Sequence, residues 1–358
     1  MLVNKPRLFG INHSNRDFTQ KDTWGKNQFN SSFPAALSAY IHSINHKNIY
    51  LKLNQNLEVV HNQISTIELF GLSPQSDDLF YAFESAYSPY QQLLVGYLPR
   101  VDLVTQSRNS GHVLKPLEIK LTALPDHTTC ELEESKYGCE LVVRPDTIVY
   151  LACSIAHCFK GSRNELKKYF SKDFANIANW NIGQVITPYL SKIVVILDKI
   201  MLSLLGKQEP LLMQPIWKTK GKSPILADNC LDVFVWSNLA FSQLFLDIVR
   251  RSLIREIHKI NRPIRTMIWL FKMLHDFAEK GQFNHAEVID NLSYNTKNDK
   301  AFAVSGKTTH PYMSCTELTK PRIRKEDIQE IILGGGQELL SPERRFDAII
   351  YNSPKLFE

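Results

Sequence analysis

Two apolar runs joined by a polar turn constrain this chain most. They are "LLVGYLPRVDLVTQ", Leu93 to Gln106, and "VLKPLEIKLTAL", Val113 to Leu124, with "SRNSGH" between them. Short β-type runs flanking Asn, Ser and Gly turn formers predict a hairpin. In the second arm, alternate side chains share a face, so Leu117, Ile119 and Leu121 point one way and Glu118, Lys120 and Thr122 the other. A mostly apolar strand thus sets a carboxylate and an ammonium side by side, roughly 6 to 7 Å apart by strand rise.

Asp102 stands on the first arm, with fifteen intervening residues before Glu118. Two carboxylates converging on a strand pair make an oxygen site for a hard cation such as magnesium, which keeps several waters and takes one or two protein carboxylates. A lysine beside them can hold or help deprotonate an attacking water, while the cation neutralises charge building on a phosphoryl group. Read this way, the strand is a catalytic edge.

The rest of the chain frames that edge. At 358 residues and 44% hydrophobic content it has ample material for one large domain or two ordinary ones. Against 36 acidic residues stand 42 Lys and Arg, a net charge of +6 that permits a polyanionic partner without requiring one. The six cysteines form no Cys-x-x-Cys pair, so they read as reduced thiols and not as a zinc site. The start has no signal-peptide h-region and no apolar run approaches the ~18 residues of a membrane span, so a soluble cytoplasmic protein without membrane contact is expected.

Along the chain, residues 1–33 read as an irregular polar arm, followed by a short helix in "PAALSAYIHSIN" and a strand at 49–53. Ser and Asp capping types in "SPQSDDLFYAFESAY" predict a helix near 75–87 that presents Glu84. "GCELVVRPDTIVYLAC" reads as extended, interrupted at Pro145. From 160 onwards, apolar residues at 3- and 4-residue spacing predict helices over 164–180, 187–206, 231–260 and 262–281, with "QEPLLMQPIWKTKGKSP" as a loop. A short helix, a Gly-rich turn and a last strand are expected after 321. Gly334, Gly335 and Gly336 lack the following Lys-Ser/Thr of a phosphate-binding loop.

Asp102 followed by Glu118-Ile119-Lys120 resembles the PD-(D/E)xK nuclease signature. "PRVD" stands where that family often has Pro directly before Asp; here Val101 intervenes and Pro99 lies two places further back. The stretch from "WGKNQFNSSFPAAL" through "FGLSPQSDDLFYAFESAYSPYQQLLVGYLPRVDLV" to "LKPLEIKLTALPD" is similar to type II restriction endonucleases of the HindVP group.

The resemblance implies an α/β restriction-endonuclease-like core, a central mixed β-sheet flanked by helices, with a helix-rich C-terminal half. The expected division is an arm at 1–33, a nuclease core at 34–158, and a part continuous with it at 159–358 for DNA contacts and dimerisation. It also implies magnesium-dependent hydrolysis of double-stranded DNA by a homodimer at a near-palindromic site of the GRCGYC type, alongside a protective DNA methyltransferase. By position, Asp102 and Glu118 would ligate the metal, Lys120 would orient the water, and Glu84 would match the extra acidic residue some members supply from a helix.

Other patterns compete with this one. Pro145-Asp146 followed by Glu165-Leu166-Lys167 is a better literal match, but "NELKKYF" is spaced like a helix, which puts Glu165 and Lys167 about 200° apart around its axis. For DNA, basic groups in or beside loops are candidate phosphate contacts: Lys218, Lys220 and Lys222, Arg262 and Arg265, and Arg163. Eight of the eleven histidines, among them His112, His275 and His285, invite a metal or acid–base reading but show no paired ligand spacing, and a surface role is the simpler reading of His112. Two alternatives remain open: a PD-(D/E)xK nuclease of DNA repair or recombination, which would not give discrete plasmid fragments, and a non-catalytic DNA-binding protein, which would bind DNA in a salt-dependent way and fail to cleave it whatever metal is supplied.

Overall fold

A computed structural model describes residues 11, 13–16, 26–120, 122–125, 140–170, 174, 177, 179–220, 223–225, 233–254, 260–294 and 302–305. In chain order these form α1 (Lys26–Ser43), β1 (Asn48–Leu53), β2 (Val59–Ile64), α2 (Thr66–Phe70), β3 (Leu79–Ser85), β4 (Val101–Ser107), β5 (Val113–Ile119), β6 (Thr122–Pro125) and β7 (Glu140–Val143). There follow α3 (Pro145–Cys158), α4 (Arg163–Lys167), α5 (Gly183–Ile186), α6 (Leu190–Ser203), β8 (Pro210–Lys220), β9 (Ser223–Ile225), β10 (Val233–Ser237), α7 (Asn238–Leu253), α8 (Arg262–Lys280), α9 (His285–Asn291) and β11 (Phe302–Ser305).

The main sheet runs β2-β1-β10-β8-β5-β4-β3, with β6 and β9 also paired to β8. It is mixed: β1 with β10 and β5 with β8 are parallel, and the other neighbours on that path are antiparallel. All five residues of β10 are buried, as expected where helices cover both faces. α1 packs on β5, β8 and β10, while α7 lies over β1, β8 and β10. Within α3, Thr147 to Ala156 are all buried, against α7, α8 and β4.

The expected hairpin is present as β4 and β5, and the expected strand at 49–53 as β1. Four readings are corrected. The segment around Glu84 is strand β3 and not a helix: its Asp and Ser residues build the turn before the strand, where Ser107 donates to Asp78 Oδ2 at 2.9 Å. Pro145 does not interrupt an extended piece; it opens α3, where a missing N–H costs nothing. The supposed loop at 208–224 contains β8, a central strand that takes Pro210 at its first residue and Pro215 at the end of its pairing with β10.

The fourth correction concerns 231–260, which is not one helix. β10 runs straight into α7, and Ser237 makes the switch by accepting a hydrogen bond from the Ala240 N–H. An apolar run as short as that of Val233 to Trp236 cannot be told from helix by periodicity alone. Smaller differences fall at helix ends: α1 starts at Lys26, inside the expected arm, and holds Pro34 in its interior, while of the helix expected over 164–180 the described residues show only the short α4. The expected elements after 321 lie outside the described residues.

Candidate active site

The β4–β5 register pairs Leu103 with Leu117 and Val104 with Pro116, so one further step sets Asp102 opposite Glu118. Directly opposed residues of an antiparallel pair share a face. Past Ile119 the chain leaves β5, and β6 resumes the same parallel alignment on β8. Lys120 sits in that gap, pinned by its N–H to the Met213 carbonyl at 2.9 Å.

These three side chains converge. Lys120 Nζ donates to Glu118 Oε1 and lies 3.9 Å from Asp102 Oδ2. The Ile119 N–H donates to Asp102 Oδ2 at 2.7 Å. Glu118 is 7% exposed, an uncommon state for a carboxylate unless it is paired. Its Oε1 also accepts a 3.0 Å hydrogen bond from Thr147 Oγ1, which reaches it from the first turn of α3.

Burial and the neighbouring charge of Glu118 push the Asp102 carboxyl up to about 7, against the pull of Lys120. Burial pushes the Lys120 ammonium down, but Glu118 and Asp102 outweigh it and hold the group above the usual lysine range. Asp146, on the first turn of α3, is raised by burial and then by Glu118. Among the described residues no three His, Cys, Asp or Glu form a cluster able to hold a metal. The donor set is instead two acidic groups crowded enough to repel each other, with one lysine between them. That chemistry fits a hard dication that brings most of its own oxygen ligands as water.

Around this cluster stand residues that spacing did not single out. Residues 13–16 line the edge of β3: Tyr81 N–H donates to His13 O at 2.9 Å, and Asn15 exchanges two 2.9 Å bonds with the backbone of Phe83. This carries Arg16 onto the Phe83 ring, 4.3 Å from its centroid, with Nη2 3.4 Å from Glu84 Oε1. Burial pulls the Arg16 guanidinium down to about 10, although Glu84 and Asp102 both favour its charge. Tyr150 of α3 donates to Pro99 O at 2.9 Å and so fixes the "PRVD" segment. The signal that could have exposed Thr147 is Pro145 read as a helix start, which puts Thr147 in the first turn.

Glu84 lies across β3–β4 from Asp102 by register, but its backbone is left-handed (φ 49°) and the residue is exposed. Arg163 opens α4, exposed, and a Cβ on Gly281 would stand 2.5 Å from its Nη1. Arg262 is exposed at the start of α8. Arg265 is 3% exposed, stacked 5.1 Å over Trp269 and bonded to Ser293 O, which is at odds with a phosphate contact. Lys218 and Lys220 belong to β8, and Lys222 lies outside the described residues. The rival Glu165 and Lys167 pair instead with Lys168 and Glu279, each at 2.6 Å, on the outer surface of α4.

A family model described as HindVP restriction endonuclease matches residues 24–357. The chain belongs to that family. It is 45% identical to the type II restriction enzyme HgiDI of Herpetosiphon aurantiacus, over 99% of this chain and 98% of that one. It is also 45% identical to the probable type II restriction enzyme HindVP of Haemophilus influenzae, over 99% of this chain and 95% of the other. No solved structure matches significantly. The chain is therefore a type II restriction endonuclease, and its mixed sheet with flanking helices is a restriction-endonuclease-like core. Among the described residues no helix is long and apolar enough to cross a membrane.

Proposed function

We propose that this endonuclease hydrolyses one phosphodiester in each strand of double-stranded DNA at a short near-palindromic site, with magnesium, as a homodimer. The observation that carries the reading is the convergence of Asp102, Glu118 and Lys120 at one end of adjacent strands. Asp102 and Glu118 would hold the cation, which supplies charge neutralisation and water activation when bound. Glu118 is kept in place by Thr147 and Asp102 by the Ile119 N–H. Because its ammonium is held above the usual range, Lys120 acts as a hydrogen-bond donor: it orients the attacking water and steadies charge on the phosphoryl oxygens. Attack is in line, with the 3′-oxygen leaving.

Arg16, tied to Glu84 and close to Asp102, supplies a second positive group at the rim. A six-base target of the GRCGYC type, a partner DNA methyltransferase that shields the host, and a cytoplasmic site of action complete the reading; they rest on family likeness. The test is unmethylated phage DNA incubated with the pure protein, with magnesium or with EDTA. Sharp bands that need magnesium, with ends that define one site, are expected. A smear would favour a structure-directed nuclease of repair or recombination, and intact DNA in both lanes would overturn the catalytic reading.

A further inference from the structure

Arg144 stands where β7 passes into α3, between the buried Val143 and Pro145, the first residue of the helix. A residue ahead of proline is confined to extended backbone, and Arg144 has φ −104° and ψ 159°. Its carbonyl accepts the Thr147 N–H at 3.1 Å, and Thr147 Oγ1 donates to Glu118 Oε1 at 3.0 Å. The Arg144 backbone is thus fixed one hydrogen bond away from the residue that holds Glu118.

Its side chain, by contrast, is uncommitted. Arg144 is exposed, and among the described residues its guanidinium makes no hydrogen bond and no ion pair, not even with Asp146 two residues on. Other arginines here have partners: Arg16 has Ser32 and Glu84, Arg250 has two aspartates, and Arg265 has Trp269 and the Ser293 carbonyl. Burial has the larger hold on Asp102, Lys120 and Asp146, but the Arg144 charge acts on all three: it favours both carboxylates and opposes the Lys120 ammonium. Two cations therefore bear on one group of acids without an ion pair to tie Arg144 down. Like charges set near each other cost energy, which an anion between them relieves. On a DNA strand that anion is a phosphate diester, and the planar guanidinium fork can meet it with two parallel N–H···O bonds.

We propose that Arg144 grips a phosphate of the cleaved strand, the scissile one or its immediate neighbour, and so sets that strand in register over Asp102, Glu118 and Lys120. This rests on the reading of those three residues as the catalytic cluster. Phosphate contacts fix register without reading bases, so the loss on removing Arg144 should be blind to sequence.

The test adds Arg144→Ala to the Lys120→Ala protein, whose cleavage is all but stopped, and measures DNA binding. Affinity for target and for unrelated duplex is expected to fall by similar factors of about five to ten, and the slope of log affinity against log salt to shrink by about one. Arg144→Lys keeps the charge and should restore the slope but only part of the affinity, because an ammonium has no fork. Neutral methylphosphonates placed one at a time around the cleaved bond locate the contact. One of them should weaken binding about fivefold in the Lys120→Ala protein and make no further difference once Arg144 is also replaced. An unchanged salt slope with every methylphosphonate penalty intact overturns the proposal, and so does a loss confined to the target duplex, which would make Arg144 a reader of bases. Discrete magnesium-dependent cleavage by the unmutated protein would leave the endonuclease reading standing in both cases. Phage DNA left whole by the unmutated protein with magnesium overturns that reading and this proposal together.

Discussion

Two clusters in this molecule share one stoichiometry, two carboxylates around one cation, and differ in what they leave open. In the first, Lys120 donates to Glu118 and stays 3.9 Å from Asp102, across the open end of β4 and β5. In the second, Arg250 of α7 donates to Asp198 of α6 and, at 2.6 Å, to Asp247 one turn earlier on α7. Gln243 gives Asp247 another bond at 2.7 Å. The planar guanidinium fork serves two acceptors at once, which a lysine ammonium does less well in fixed geometry. Burial raises Asp102, Asp198 and Asp247 alike. Residue types, pKa direction and the number of bonds accepted therefore do not separate a clamp from a site, since one carboxylate of each pair takes two hydrogen bonds and the other one; the reach of the cation does. The helix cluster closes because Arg250 bonds both of its carboxylates, and the strand cluster stays open because Lys120 bonds only Glu118.

The largest expected effect tests that distinction directly. Lys120→Ala should lower the cleavage rate about a thousandfold, the scale of removing a preorganised donor at the reacting group, with DNA binding changed only a few-fold. Arg250→Ala should leave the rate per folded molecule within about threefold, yet destabilise the protein by about 1 to 2 kcal/mol, since two partly buried carboxylates lose their partner. Single-turnover kinetics and urea unfolding measure both. If Arg250→Ala loses catalysis while still folded, the two clusters are coupled and the comparison fails.

The same contrast explains what the sequence could and could not convey. The hairpin was legible because its apolar alternation and turn residues are local, and Asp102, Glu118 and Lys120 ride on that pattern. β8 and β10 were not, because prolines masked one and a seamless entry into α7 masked the other. Arg16 and Thr147 reach the site only through tertiary structure, one along the β3 edge and the other on a buried helix start. The Arg250 clamp was equally hidden: in sequence it is one basic residue on an amphipathic helix, and its partner Asp198 lies on another helix.

An intermediate effect is expected at Thr147, which is 1% exposed and holds Glu118 Oε1 at 3.0 Å. Thr147→Val keeps the shape and removes the donor, and should weaken the apparent magnesium affinity about five- to tenfold, the scale of one ordinary net hydrogen bond. Thr147→Ser should restore most of it. A loss of stability in the valine variant without a change in magnesium dependence would mean that Thr147 only packs, and that Glu118 is as self-sufficient as Asp247.

The smallest effect is on stability against pH in metal-free protein. The Asp102 carboxyl rises from an ordinary value of 3.8 to about 7 in the folded state, so between those values the folded protein binds more protons than the unfolded chain. Stability then falls as pH rises through that window, by about 1 to 2 kcal/mol for a carboxyl 33% exposed and so partly screened. Asp198 and Asp247 are raised as well and contribute a slope of the same sign. Asp102→Asn should therefore flatten the curve only in part. Magnesium should lift the high-pH arm in the parent protein and not in Asp102→Asn, because a cation that neutralises the open cluster finds no such site at the closed one. Equal magnesium stabilisation of both proteins would place the cation elsewhere and remove the physical ground for telling the two clusters apart.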